Sequence, residues 1–340
     1  MGFAAAMTML TASRQIAVRP DWLALTAEPA LEPALPILDP HHHLWDRPDE
    51  RYLVPDLAAD AAQGHDIRGT VFIQCASAYR ATGPEEKKPL GETAWVAGQA
   101  RGPFCTGIVG LVDLTLGARV TPLLEAHVAL APDRFRGVRN RTAWHPDPAV
   151  RSNLTAPPPG PLGTPAYVAG ARLLAALGLS LDIWCYHTQL PLVLEVARQV
   201  PGLTLVLDHL GGPLHAGRDP AVFAAWRPLM AELARCPNVV VKLGGLAMEV
   251  GGWDFHLRPR PPGSAELAAA WRPWMETAIT LFGPRRCMFE SNFPVDKGMV
   301  GYGVLWNAFK RLCSGASAEE KAALFHDTAA RVYRLGTPAG

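Results

Sequence analysis

The chain has 340 residues, 49% hydrophobic and 19% charged, and no apolar run reaches the roughly 18 residues of a membrane span. Lys plus Arg (32) nearly cancels Asp plus Glu (31), so no strong positive field favours nucleic acid, and a small-molecule partner is expected. Six cysteines without a CxxC spacing read as reduced, buried thiols.

In chain order, residues 1–10 are mildly apolar but lack a basic start and are broken by Thr8. They read as the frayed terminus of a cytoplasmic protein. Residues 1–34, which contain Trp22 and several prolines, are expected to form an N-terminal extension across the outside of one domain, 35–335. Eight short β-rich runs follow, at 37–43, 69–77, 105–112, 135–141, 179–186, 203–209, 239–244 and 286–292. Between them, segments such as 120–131, 189–200, 222–235 and 264–282 repeat apolar residues three and four apart, the spacing of amphipathic helices. Runs such as Leu203-Thr204-Leu205-Val206-Leu207 and Val239-Val240-Val241 are apolar on both faces and suit a covered parallel sheet. Eight strand-helix repeats, with no Gly-rich phosphate loop after the first strand, predict a single (β/α)8 TIM barrel of the α/β class. The Pro/Gly-rich stretches 156–165 and 251–263 are expected to be long loops over one barrel face. The oligomeric state is left open, a homo-oligomer included.

Catalytic groups of such a barrel gather at the C-terminal ends of its strands. The first strand ends Asp39-Pro40-His41-His42-His43-Leu44-Trp45-Asp46. Strand alternation sends His41 and His43 to one face and His42 to the other, so two imidazoles can converge on one divalent ion such as zinc. The sixth strand ends Leu207-Asp208-His209-Leu210-Gly211-Gly212-Pro213, offering His209 as a third ligand. His187 follows the fifth strand, next to Tyr186, a candidate substrate contact. The bland alternative is that these imidazoles cap strands and bond to carbonyls.

Four motifs in this order, Asp39-Pro40-His41-His42-His43, Gly137-Val138-Arg139, the run from Leu207 to Pro213, and Phe289-Glu290-Ser291-Asn292-Phe293-Pro294, resemble the amidohydrolase-related family. The resemblance is to its branch of metal-dependent TIM-barrel hydrolases, which includes sugar lactonases and pyrone-dicarboxylate lactonases. It implies a barrel that hydrolyses a lactone, ester or amide, with strand-end histidines binding metal or substrate and an Asp at the end of strand eight activating water. Here that position is Asn292, and an amide cannot serve as a base. Glu290 lies one layer deeper and is expected to join Lys242 and Asp39 in a buried ionic cluster. The base is then sought in Asp296, His187 or a metal-bound hydroxide, with Asp296 preferred and Asn292 orienting. Arg139 and Arg141 share a strand face and suit a carboxylate. Gln74 is expected to face inward, Trp253 to belong to a lid after strand seven, and Tyr79 and Glu92 are secondary candidates.

The expected function is hydrolysis of a lactone or related cyclic ester of a small carboxylated or sugar-derived molecule, with at most one divalent metal. The alternatives are decarboxylation of an aromatic or unsaturated acid on the same barrel, and a non-catalytic relative that only binds ligand.

Overall fold

The structure is a computed structural model that describes residues 15–48, 50–150 and 159–336. The 1–10 terminus and residues 156–158 of the 156–165 loop therefore lie outside the described residues. Among the described residues ten strands form: β1 (Pro36–His42), β2 (Trp45–Arg47), β3 (Glu50–Tyr52), β4 (Asp66–Ile73), β5 (Gly107–Gly110), β6 (Phe135–Arg141), β7 (Ser180–Trp184), β8 (Leu205–Leu207), β9 (Val239–Leu243) and β10 (Cys287–Phe289). β2 and β3 make a small antiparallel hairpin beyond the end of β1. The other eight are parallel neighbours in the order β1-β4-β5-β6-β7-β8-β9-β10. Beyond β10 the chain returns to β1 through Asn292 N donating to His41 O (2.9 Å) and His43 N donating to Phe293 O (2.7 Å). These bonds close the (β/α)8 barrel at its C-terminal rim.

Alternation decides which side chains fill this barrel. Leu181, Ile183, Leu205, Leu207, Val239 and Val241 point outward into the shell shared with the helices. Leu38, Val71, Ile73, Val109, Val206, Val240 and Met288 point inward and make the floor, which Ala329, Val332 and Tyr333 plug from the C-terminal end of the chain. Helices Val120–Leu130, Leu190–Gln199, Pro220–Ala234 and Ser264–Phe282 match the expected periodic segments to within two residues. Pro165, expected in a loop, instead opens helix Pro165–Ala176, with Thr164 as its N-cap, because the fixed φ of proline suits a first helical turn.

Left-handed residues follow two of the strands that are shorter than their apolar patterns suggest. β8 stops at Leu207 because His209 (φ 55°) and Leu210 (φ 56°) turn left-handed, and Asn292 (φ 54°) does so after β10. Positive φ is costly for a non-glycine residue and concentrates where function sets the backbone. Here it turns strand-end side chains towards the barrel mouth.

The described part of the chain before β1 packs on the outside of the barrel. Trp22 Nε1 donates to Arg258 O (2.9 Å) and Thr26 Oγ1 to Pro261 O (3.0 Å), which ties it to the loop after β9. Lys310 Nζ donates to Leu31 O (2.7 Å) and Glu32 O (2.9 Å). That contact covers the polar face of helix Tyr302–Leu312, ten of whose eleven residues are buried. All six cysteines are buried free thiols, and no helix among the described residues is long and apolar enough to cross a membrane.

Candidate active site

At the mouth, His41 and His43 project from the end of β1 on one face. Their Nε2 atoms are 3.3 Å apart and their rings meet edge to face. His42 turns the other way, to Thr70 Oγ1 at 2.9 Å. His209 brings its ring centroid to 4.5 Å from that of His41, so three imidazoles from the two distant motifs share one place. Burial first, then the charge of Lys242, holds His41 well below the ordinary imidazole range. Burial and then Arg139 do the same to His43, and both rings are neutral near pH 7. His43 Nδ1 lies 2.7 Å from Ile73 O. A carbonyl only accepts, so this nitrogen carries the ring proton and Nε2 keeps its lone pair.

Beneath the imidazoles lies Glu290, with Oε1 2.6 Å from His209 Nδ1 and Oε2 2.8 Å from His41 Nδ1. Burial opposes its ionisation, yet His209 and His41 outweigh that cost and hold its carboxyl at about 2. The expected Glu290–Lys242–Asp39 cluster is therefore corrected. Lys242 Nζ pairs instead with Asp182 (2.8 Å) and Asp208 (3.0 Å), and Asp39 accepts from Ser291 N and the Tyr302 hydroxyl, both at 3.0 Å. The cause is a shift in the pairing of β1 with β4 between Asp39 and His42. A bulge of this kind breaks simple alternation and turns Asp39 away while His41 faces inward.

The pair of carboxylates around Lys242 escaped the sequence reading. Asp182 follows from alternation along β7, and Asp208 from alternation along β8, so the signal was present. Tyr333, donating to Asp182 Oδ2 at 2.6 Å, could not be found this way because it comes from the far end of the chain. Burial opposes the charge of Lys242, but Asp182 and Asp208 prevail and raise its pKa. Arg139 reaches the same layer from β6. It donates to the Gln74 carbonyl, lies 3.4 Å from His41 Nε2 and is 3.9 Å from Asp208 Oδ2. Gln74 is fully buried, and its side-chain Oε1 has no partner among the described residues.

Asp296 stands on the loop after β10, buried beside Asn292. Asn292 Nδ2 donates to its Oδ1 at 2.7 Å and Ala247 N to its Oδ2 at 3.2 Å. Burial pushes the Asp296 carboxyl up to about 7 against the opposing pull of His209 and Asn292. Of the other candidates, His187 accepts from Leu214 N at 3.2 Å through Nδ1 and braces the turn that follows His209. Tyr186 and Trp184 pack edge to face in an apolar group with Ala143, Leu214 and Met248. Trp184, which the sequence reading passed over, also meets the His209 ring edge to face at 4.8 Å. Trp253 is half-buried and stacks on Phe255. Glu92 sits in the first turn of helix Leu90–Gln99, where it accepts from Cys75 N (2.9 Å) and Ser77 N (2.8 Å) and shapes the loop after β4 that carries half-buried Tyr79. Arg141 ends β6, and its side chain lies outside the described residues.

Two glycines make room for this arrangement. A Cβ on Gly244 would sit 2.4 Å from Glu290 Cγ, and one on Gly245 (φ +67°) would sit 2.4 Å from His209 Cγ.

Comparison with known proteins agrees with this geometry. Residues 38–335 match the Amidohydrolase family, and the chain belongs to that family, which makes it a hydrolase. It is 35% identical over 322 residues to the uncharacterized protein y4mH of Sinorhizobium fredii, covering 88% of this chain and 98% of that one. It is also 26% identical over 333 residues to an L-fucono-1,5-lactonase of Burkholderia ambifaria, covering 89% of this chain and 97% of that protein. A crystal structure of a Burkholderia multivorans amidohydrolase with bound zinc matches at a TM-score of 0.67 with 27% identity, covering 88% of this chain and 99% of the other.

Proposed function

We propose that the chain hydrolyses a lactone or related cyclic ester of a small carboxylated or sugar-derived molecule, using a divalent cation held by His41, His43 and His209. The observation that carries this reading is the meeting of three imidazoles with a buried carboxyl whose pKa is about 7. The similarity to an L-fucono-1,5-lactonase supports the choice of a lactone.

Two features of the site fit a cation. The His41 and His43 Nε2 atoms are 3.3 Å apart, about the edge of a tetrahedron around zinc with bonds of about 2.0–2.1 Å. Two fixed cations, Lys242 and Arg139, face the carboxylates Asp182, Asp208 and Glu290. Three carboxyls thus meet two fixed cations in a buried place, where unbalanced charge is costly. When bound, the metal supplies Lewis-acid polarisation of the substrate carbonyl.

The residues do the rest. Asp296 takes a proton from the attacking water as its oxygen bonds to the acyl carbon, and returns that proton to the ring oxygen when the acyl–oxygen bond breaks. Asn292 orients Asp296 through its amide hydrogen bond. Arg139 presents positive charge beside His41, where the acyl oxygen gains negative charge. The buried Gln74 amide lies next to Arg139 and offers a contact to substrate polar groups.

The test is a pH-stat assay at pH 8 over a panel of aldonolactones, carboxylated lactones and simple cyclic esters, before and after chelation and zinc return. One acid released per ring opened, lost on chelation and restored by zinc, is the expected result. Carbon dioxide release from aromatic acids without lactone hydrolysis would instead establish the decarboxylase alternative. Full activity in metal-free protein would leave the imidazoles and Arg139 as the only electrophiles.

A further inference from the structure

We propose that the loops after β6, β7, β8, β9 and β10 form an apolar subsite beside the imidazoles, which takes an alkyl or aryl substituent of the substrate ring. This inference deepens the lactone reading above and rests on it for the identity of that ring.

Asp182 points into the barrel at Lys242 Nζ, 2.8 Å away, so alternation along β7 turns Trp184 the same way, one layer nearer the mouth. The Trp184 ring meets that of His209 edge to face, with centroids 4.8 Å apart, and the His209 centroid lies 4.5 Å from that of His41. Around Trp184 gather Ala143, Tyr186, Leu214 and Met248, one from each of the loops after β6, β7, β8 and β9, and half-buried Val295 from the loop after β10 packs on them. Leu214 is held by the bond from its N to His187 Nδ1 at 3.2 Å. Gly212 lets the turn after His209 close on Trp184, since a Cβ there would sit 3.0 Å from Trp184 Cζ3 and 2.2 Å from Cys185 O. The group also borders Asp296. Val295 immediately precedes it in the chain, and Met248 follows Ala247, whose N donates to Asp296 Oδ2 at 3.2 Å.

The five buried members of this group belong neither to the outer shell nor to the barrel floor. Val206 and Val240 of the floor are followed two residues later by Asp208 and Lys242, so a charged layer separates the floor from the apolar group above it. The stability of the barrel core therefore does not call for carbon at this height. Across the mouth, on the side of β1, β4 and β6, stand His43, Gln74 and Arg139. A ring held at the imidazoles has polar partners on one side and a carbon-rich wall on the other, the usual make-up of a small-molecule site. Met248, 9% exposed, is the most open of the five, and its unbranched thioether chain adapts to apolar groups of varied shape.

The test is a series of lactones of one ring size with straight alkyl substituents of increasing length, beside the matching cyclic ketones, which keep the carbonyl and have no acyl–oxygen bond to hydrolyse. Each added methylene should raise kcat/KM for the lactones and calorimetric affinity for the ketones about fourfold, with a heat-capacity change of binding that grows more negative along the series. A hydroxylated chain of the same length should lose the gain. Met248→Gln should flatten both slopes, and an unchanged slope in that variant would overturn the placement of the substituent on this wall. The wild-type series decides alone if the variant does not fold. Ketone affinity independent of chain length overturns the subsite, and lactone turnover in the same experiment would leave the hydrolase reading standing. Ketone affinity that climbs with chain length while no lactone is opened leaves the subsite standing and sinks the hydrolase reading.

Discussion

Asp296→Asn separates catalysis from stability. Burial raises the Asp296 carboxyl from 3.8 to about 7, so folding favours its protonated form. Stability contributed by such a group is greatest at low pH and declines as pH rises from the unfolded value near 4 towards 7. Between pH 5 and pH 8 this shift costs the metal-free protein about 2 to 3 kcal/mol. Asparagine does not titrate and lacks that slope. The substitution carries its own cost, because Asn292 Nδ2 and Ala247 N both donate to this carboxylate, and the new NH2 must oppose one of them. That mismatch costs about 1 to 3 kcal/mol, but equally at every pH. Urea unfolding of both metal-free proteins at pH 5 and pH 8 should therefore show the difference moving in favour of Asp296→Asn by about 2 to 3 kcal/mol. Turnover should move the other way, with kcat about 10²- to 10⁴-fold lower and the acid limb of kcat/KM, inflecting near 7 in the wild type, abolished. Parallel stability profiles would refute the buried-carboxyl argument, and near-wild-type kinetics would remove Asp296 from the base role.

Gly245→Ala puts a Cβ 2.4 Å from His209 Cγ at a backbone with φ +67°, and should lower kcat/KM about 100-fold by displacing the ring. Normal kinetics in that variant would show that the position of His209 does not matter to the reaction. Lys242→Met leaves Asp182 and Asp208 without their buried cation and should cost about 3 to 5 kcal/mol at pH 7. The deficit should shrink at pH 5 as the carboxyls take up protons, and a pH-independent deficit in urea unfolding would mean lost packing instead. Asn292→Asp should not improve catalysis, because a carboxyl within hydrogen-bond reach of Asp296 would share its proton. The acid limb of kcat/KM should then move above its wild-type position, and an unmoved limb would argue against that contact in the working enzyme.

The barrel was legible because its signals are local and repeated: strand runs that are apolar on both faces, and helical spacing between them. The convergence of His41, His43 and His209 was legible for the same reason, since each sits where a strand pattern ends. Other features depend on departures from regularity that no period reveals. The register shift in β1 turned Asp39 away from the expected ionic cluster, and positive φ at His209 and Asn292 shortened two strands. The floor cluster was half legible, because Asp182 and Asp208 obey alternation. Its Tyr333 plug was not, because nothing in the sequence around Tyr333 says that the chain end closes the barrel.

In the proposed mechanism the end of β10 dispenses with a rim aspartate. Asp296 N donates to Asn292 O at 3.1 Å, a single helical turn that brings the two side chains to the same side and sets Asp296 against the Asn292 amide. Two residues before Asn292, Glu290 faces inward under the imidazoles. Both carboxyls are fully buried, so burial penalises charge on each, yet they shift in opposite directions, Glu290 to about 2 and Asp296 to about 7. The difference lies in their partners. Glu290 touches two imidazoles, whereas Asp296 has two neutral amide donors. Carboxyls whose surroundings push them apart can hold different protonation states at one pH. In the proposed mechanism the permanently ionised group holds the histidines, and the group that titrates near neutrality moves the proton. A single aspartate at position 292 would have to be both ligand and base, and a cation strong enough to bind it would weaken it as a proton acceptor.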